Sequence, residues 1–264
     1  MKVCVFTSSR PRHVALLQCL ARLGCEVSGV IETVTSFPGK APGFFRESET
    51  MAKYFAEVER AQLEVFGNVD YLPQGKFIVT QMGDLNRFQP EELESLLVCD
   101  LFIVFGASII KGWLLEALSK RIALNIHIGL SPFYRGSSCN FWALFDGKPE
   151  YVGATVHKLT AGLDSGPIAF HAIPEHSGED PFMFTMKSVK VAHEGLAEKI
   201  YDGSLGKLPL VPQDRALEIR YSKGQEFSDE IAAAFLERNL TADELGQALS
   251  ERKPPEDLVR PFFR

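Results

Sequence analysis

The sequence has no long apolar run. Across its 264 residues the longest charge-free apolar stretch near the middle, Leu101–Ile110, falls far short of the ~20 residues that a membrane helix requires. No leader is expected either. Met1–Phe6 enters a strand pattern directly and turns polar at Thr7-Ser8-Ser9-Arg10, without the apolar core of a signal peptide. No membrane partner is expected, and cytoplasm is the expected compartment. Basic charge is also short, with 28 Lys+Arg against 34 Asp+Glu and a formal net charge of −6. Residues 203–264 carry 9 Lys+Arg and 11 Asp+Glu. Nucleic acid is not expected as a partner, because affinity for a phosphate backbone comes largely from Lys and Arg displacing counterions.

Cysteine is sparse. The five (Cys4, Cys19, Cys25, Cys99 and Cys139) are an odd number without a cluster. Cys19 and Cys25 are six apart and face no second close pair, which argues against zinc. Cys4 and Cys99 lie in or beside apolar runs, where a thiol behaves as a small hydrophobe. All five are read as structural, in a reducing compartment. His157, His171, His176 and His193 lack zinc spacing and receive no role; no metal is expected. Glu32 closes the second strand, where dinucleotide enzymes keep an acid, but no Gly-x-Gly-x-x-Gly turn precedes it. There is no internal repeat, and the 15 prolines and 21 glycines are spread along the chain, so nothing reads as low complexity.

What is present is an ordinary folded composition, 45% apolar and 23% charged. Lys2–Phe6, Glu26–Ile31, Phe77–Thr80, Leu101–Phe105 and Ile122–Ile126 are strand-length runs rich in Val, Ile and Phe. Mostly apolar on both faces, they suit a parallel sheet covered by helices. Helical patterns alternate with them. Arg12–Leu23 sets Val14, Leu16, Leu17 and Leu20 on one side, and Glu47–Phe66 repeats Met51, Tyr54, Phe55 and Val58 at helical spacing. Gln89–Leu97 opens with Pro90 in its first turn, and Lys111–Leu118 follows the fourth strand. This alternation predicts an α/β fold with a doubly wound, mostly parallel sheet.

After Gly136 the pattern changes. Cys139–Phe145 and Pro181–Tyr201 read as helices, Tyr151–Leu159 and Pro167–Ala172 as strands. The connector Lys207–Pro212 leads to two further helices, Phe227–Arg238 and Thr241–Ser250, the second opening with a capping-box sequence at Thr241. The expected organisation is a catalytic domain over residues 1–202 and a small C-terminal region over 203–264.

Chemistry concentrates in Leu124-Asn125-Ile126-His127-Ile128-Gly129-Leu130-Ser131-Pro132-Phe133-Tyr134-Arg135-Gly136. It begins at the C-terminal end of a buried parallel strand, the edge where open α/β sheets collect ligands. Asn125 and His127 are two apart, so in an extended chain their side chains share a side. They supply an amide donor and a group that takes or gives a proton. A second stretch, Gly162-Leu163-Asp164-Ser165-Gly166-Pro167, is a loop whose glycines and proline hold an unusual backbone path. A carboxylate beside an imidazole fixes its tautomer and raises its basicity. Asn125, His127 and Asp164 together form a candidate acyl-transfer site without a protein nucleophile. Trp142 reads as core, and Tyr134 and Arg135 either touch a substrate or stiffen their loop.

The ordered set Asn125-x-His127, Ser131-Pro132, Tyr134-Arg135-Gly136, Trp142-Ala143-Leu144 and Gly162-Leu163-Asp164-Ser165-Gly166 resembles the folate-dependent formyltransferase family. That family includes glycinamide ribonucleotide, methionyl-tRNA and nucleotide-amino-sugar formyltransferases. The resemblance spans roughly residues 1–200 and is tightest from Val104 to Ile168. It implies a Rossmann-like formyltransferase fold and Asn125, His127 and Asp164 as the catalytic trio. It also implies N10-formyltetrahydrofolate as formyl donor, with no metal. Phe105, Gly106, Ala107, Ser108, Ile109 and Ile110 match the segment whose backbone holds the pteridine, and Gly162 and Leu163 lie in the folate-binding loop.

The chain departs from the family pattern twice. His127-Ile-Gly-Leu-Ser-Pro132 replaces the frequent His-Pro-Ser-Leu-Leu-Pro, changing the loop at Gly129 and Ser131. The glycine-rich phosphate loop of the glycinamide enzymes is replaced by Thr7-Ser8-Ser9-Arg10-Pro11-Arg12-His13, which offers hydroxyls, arginines and a helix N-terminus to an anion. The expected acceptor is therefore a small-molecule amine, first a nucleotide-linked amino sugar, with Phe44, Phe45 and Arg46 as candidate contacts or as a packed surface loop. A glycinamide ribonucleotide or other small-amine formyltransferase, a formyltetrahydrofolate hydrolase and a non-catalytic binder are the alternatives. The hydrolases usually carry a domain ahead of the first strand, whereas here that strand begins at Lys2. The oligomeric state is left open, a homodimer among the options.

Overall fold

In the computed structural model, residues 1–33, 48–69 and 71–264 are described; the candidate contacts Phe44, Phe45 and Arg46 lie outside them. The elements run β1 (Lys2–Ser8), α1 (Pro11–Arg22), β2 (Glu26–Thr33), α2 (Glu49–Phe66), β3 (Phe77–Gln81), α3 (Pro90–Leu93), β4 (Leu101–Phe105), α4 (Gly112–Ser119) and β5 (Ala123–His127). Then follow β6 (Tyr134–Gly136), α5 (Cys139–Phe145), β7 (Ala154–Lys158), β8 (Ile168–Ile173), α6 (Pro181–Tyr201), β9 (Arg220–Ser222), α7 (Asp229–Arg238), α8 (Ala242–Ser250) and β10 (Phe262–Phe263).

Eight strands form one sheet in the order β10-β8-β7-β5-β4-β1-β2-β3. The run from β3 to β5 is parallel, β7 is antiparallel to β5 and β8, and β10 is parallel to β8. The fold is thus α/β, doubly wound and mostly parallel. All five residues of β4 are buried, because helices cover both faces of this central strand. At the sheet's edge the expectation of two apolar faces fails: Val79 of β3 is 59% exposed. An edge strand keeps only one covered flank.

Local chemistry sets the helix ends. The Asp180 carboxylate accepts hydrogen bonds from the N–H groups of Phe182 and Met183, and Pro181 opens the 21-residue α6. Ser48 caps α2, so that helix starts two residues later than its periodicity suggests. The Thr241–Glu244 capping box forms as expected. Gln89–Leu97 instead breaks into α3 and a turn of 3-10 helix, Glu94–Leu96. Of Tyr151–Leu159, only Ala154–Lys158 pairs as a strand.

The residues after 203 pack on the same body. Phe227, Ala232, Phe235 and Leu245 join Phe141, Trp142 and Leu144 in one apolar cluster. β9 pairs with β6 beside the site, and β10 extends the main sheet. Trp142 is core, 1% exposed, with the Arg220 guanidinium 3.6 Å above its ring centroid.

Two buried histidines make the fold acid-sensitive. His171 accepts from the Val259 N–H at Nδ1 (2.9 Å), which leaves Nε2–H to donate to the Ser131 carbonyl (2.8 Å). A second proton would break the first bond. Burial pushes its pKa down to about 4. His193, packed against Phe66 and Phe105, is pushed by burial to about 3. Between pH 6.5 and 4 the unfolded chain therefore binds protons that the native chain refuses, so stability rises with pH in that window. Each histidine contributes a slope of up to ~1.4 kcal/mol per pH unit. The midpoint of urea unfolding is expected to fall from pH 7 to pH 5, and to fall less in His193→Phe. Equal midpoints at the two pH values would refute this.

Candidate active site

β1 and β4 lie side by side, and their connections leave in opposite directions along the sheet. A crevice opens beyond their C-terminal ends, as at the switch point of other open α/β sheets. β5 adds His127 to the same edge, and the loop between β7 and β8 brings Asp164 over it. The result is a cavity of about 570 Å³, within the ~300–1,000 Å³ typical of small-molecule sites.

Asn125 and His127 do share a side, and Asp164 meets both. Asn125 Nδ2 donates to Asp164 Oδ1 at 3.3 Å, and His127 Nδ1 lies 3.3 Å from Asp164 Oδ2. Asp164 adopts φ 46°, in the left-handed region where Asp and Asn are enriched. Burial alone would raise its pKa, but the neighbouring His127 and His157 and the charge of Arg135 together hold it below the ordinary carboxylate range. Burial lowers the pKa of His127, and Asp164 offsets this only in part. At neutral pH the pair is therefore a carboxylate beside a neutral imidazole. All eight residues expected around the folate, Phe105 to Ile110 with Gly162 and Leu163, line this cavity.

Three residues that sequence reasoning set aside, His157, Cys139 and Glu32, prove to be part of the arrangement, together with His13. His157 lies directly across from Asn125 in the β5–β7 register. Its Nδ1 donates to the Lys158 carbonyl (2.9 Å), so Nε2 is free to accept from Asn125 Nδ2 (3.0 Å). The Asn125 amide thus spends one N–H on His157 and the other on Asp164. Cys139 is more than a buried hydrophobe: its Sγ sits 3.4 Å from His127 Nε2, and burial keeps the thiol protonated. Glu32, fully buried, accepts from the backbone N–H groups of Gly83 (2.9 Å) and Ser108 (2.5 Å), fastening the segment after β4. His13 lines the cavity, and its Nε2 would stand 2.3 Å from a Cβ on Gly106 (φ +68°).

Tyr134 and Arg135 stiffen the loop rather than face the cavity. Tyr134 donates to Asp146 (3.1 Å). Arg135 bridges Glu218 (2.8 Å) and the Leu163 carbonyl (3.2 Å). Gln213 completes this support, its Nε2 donating to the carbonyls of Asp164 and Gly166, each at 2.8 Å. Two residues beyond 203 therefore hold the Asp164 loop. Gln213→Leu removes both bonds, and kcat is expected to fall ~10- to 100-fold through misplacement of the carboxylate. Gln213→Asn should fall between, and the midpoint of thermal unfolding should move little. Unchanged kcat in Gln213→Leu would show that the loop holds itself.

A carboxylate, a neutral imidazole and an amide converging at a crevice can accept a proton and donate a hydrogen bond to a developing oxyanion. Among the described residues, no three or more His, Cys, Asp and Glu are placed to hold a metal ion, and no helix is long and apolar enough to cross a membrane.

Residues 78–199 match the family described as Formyl transferase. Methionyl-tRNA formyltransferase of Listeria monocytogenes is 33% identical over 137 residues, covering 48% of this chain and 43% of the relative. The match thus spans less than half the length of that curated relative. Among solved structures, the formyltransferase PseJ of Anoxybacillus kamchatkensis, in complex with UDP-4,6-dideoxy-4-formamido-L-AltNAc and tetrahydrofolate, aligns with TM-score 0.53 and 18% identity. That alignment covers 94% of this chain and all of the other. Glycinamide ribonucleotide transformylase 1 of Symbiobacterium toebii aligns with TM-score 0.52 and 19% identity, over 81% and 94%. At these identities the likeness is one of fold.

Proposed function

We propose that this chain is a member of the formyltransferase superfamily and moves a formyl group from N10-formyltetrahydrofolate to a primary amine, the amino group of a nucleotide-linked amino sugar. The observation that carries the reading is the meeting of Asn125, His127 and Asp164 within 3.3 Å contacts at the crevice. It is supported by the cavity they share with Phe105–Ile110 and Gly162–Leu163. Such a cavity suits a flat heterocycle with several N–H and C=O groups, because backbone groups can match that edge while Phe105 and Ile110 cover its faces.

In this mechanism the neutral amine attacks the formyl carbon, forming a C–N bond and a tetrahedral centre with a developing oxyanion. The Asn125 bond to Asp164, the longer of its two, gives way, and that N–H turns to the oxyanion while His157 anchors the other. One such donor is worth about 2.7–4 kcal/mol. Asp164, with His127 beside it, takes the amine proton and passes it to N10 as the N10–carbon bond breaks. Products are the formamide and tetrahydrofolate. The sugar acceptor is favoured because the PseJ structure, which this chain matches over nearly its whole length, carries a formamido sugar nucleotide.

The test is release of tetrahydrofolate from N10-formyltetrahydrofolate with a panel of amines that includes amino-sugar nucleotides, glycinamide ribonucleotide and simple amines. Release that requires a sugar nucleotide is the expected result. Release without any amine would replace transfer by hydrolysis.

A further inference from the structure

A second cavity, of about 250 Å³, adjoins the first and shares Arg12, Ile128 and Ser138 with it. Its remaining wall is largely apolar and includes the rings of Tyr54, Phe141, Phe182 and Phe235, drawn from four different helices. These rings stand in edge or tilted contacts, with centroids 5.7 Å apart for Tyr54–Phe141, 5.3 Å for Tyr54–Phe182 and 5.0 Å for Phe141–Phe235. They leave an apolar space beside a polar one. An engineered apolar cavity of ~150 Å³ already takes benzene, so this one has room for a single ring with a substituent.

Arg12 stands at the junction. Of the hydroxyls and arginines at the end of β1 and in the turn after it, the others are engaged within the protein. Thr7 donates to the Phe105 carbonyl, Ser8 bonds His13 and Arg10 pairs with Glu59. Arg12 donates to the neutral Gln62 amide oxygen at 2.7 Å, and no ion pair among the described residues includes it. Burial and the nearby Arg10 lower its pKa to about 10, which leaves it charged at neutral pH. A partly buried cation without a counter-charge costs free energy, and a guanidinium is the group best shaped to recover it from an oxyanion.

We propose that the smaller cavity is a specificity site for the acceptor: an oxyanion of the acceptor pairs with Arg12 while an adjoining apolar group of ring size enters the aromatic cavity. This rests on the reading above for the word acceptor, but not for the binding itself. It defines the substrate class as an amine that carries an anion and a compact apolar group on the side away from the folate.

The experiment is calorimetric titration of the folate-free protein with phenyl phosphate and with inorganic phosphate. Phenyl phosphate is expected to bind at least tenfold more tightly. Arg12→Gln should weaken both ligands about tenfold. Thr185→Phe, which puts a ring into the cavity from α6, should bring phenyl phosphate down to the affinity of inorganic phosphate. Val58→Leu fills the space more gently and should act in the same direction. Equal affinities of the two ligands for the unaltered protein would overturn the proposal. The expected pattern in a protein that transfers no formyl group would uphold the site and overturn the reaction. Formyl transfer with equal affinities would do the reverse.

Discussion

Asp164→Asn is expected to lower kcat by about 10²–10⁴-fold, the range for losing a general acid–base group, while the protein stays folded. Asparagine keeps the size of the side chain and tolerates the left-handed backbone (φ 46°) at this position. What it removes is the charge that faces His127 Nδ1 and that in the proposed mechanism accepts the amine proton. Asp164→Ala would mix that loss with backbone strain and is the poorer test. His127→Ala should cost a comparable factor, and the double variant little more than either single one, because residues acting as a unit are strongly non-additive. The pH profile carries the same claim. Asp164 is held below the ordinary carboxylate range and His127 below its usual 6.5. As pH falls, activity should persist below 6.5 and fail only as these two groups take protons. Additive losses in the double variant would separate the two side chains.

Gly129→Ser is the second large effect. A Cβ at this position would stand 2.4 Å from the Cys139 Cβ and 2.8 Å from His127 Nε2. The Cys139 Cβ is fixed to the backbone at the first turn of α5 and has nowhere to swing. Overpacking of this kind costs about 1–3 kcal/mol. Displacing His127 by a fraction of its contact distance should also cost roughly 10²-fold in kcat. Cys139→Gly in the same chain opens the space and should recover much of both losses. Urea midpoints and kcat measured over the four proteins would show the coupling; strictly additive effects would mean that the two residues do not compete for the same space. The departure at Gly129 thus has a physical reason: the Cβ of Cys139 and the ring of His127 occupy the place of its missing side chain.

The residues readable in the sequence were those governed by local period. β4 is five apolar residues buried on both faces, and Asn125 and His127, two apart, fell on one side as extended backbone requires. The eight cavity residues after β4 and before Asp164 were found through family resemblance, and they line one space. His157 was missed because its place depends on antiparallel register with β5, which no local pattern encodes. A signal existed nonetheless. Thr155 and His157 alternate as polar residues in a buried strand; Thr155 holds Gly129 and Ser131, and His157 holds Asn125. Gln213 lies 49 residues from the loop that it clamps. β10 is two residues long, too short to carry a period.

The most direct test of the account follows an isotope-labelled formyl carbon by nuclear magnetic resonance, from N10-formyltetrahydrofolate in the presence of an amino-sugar nucleotide. The label is expected to appear in a formamide with the unaltered protein and to stay on the folate with Asp164→Asn. Label released as free formate, or a formamide formed equally fast by Asp164→Asn, would contradict it.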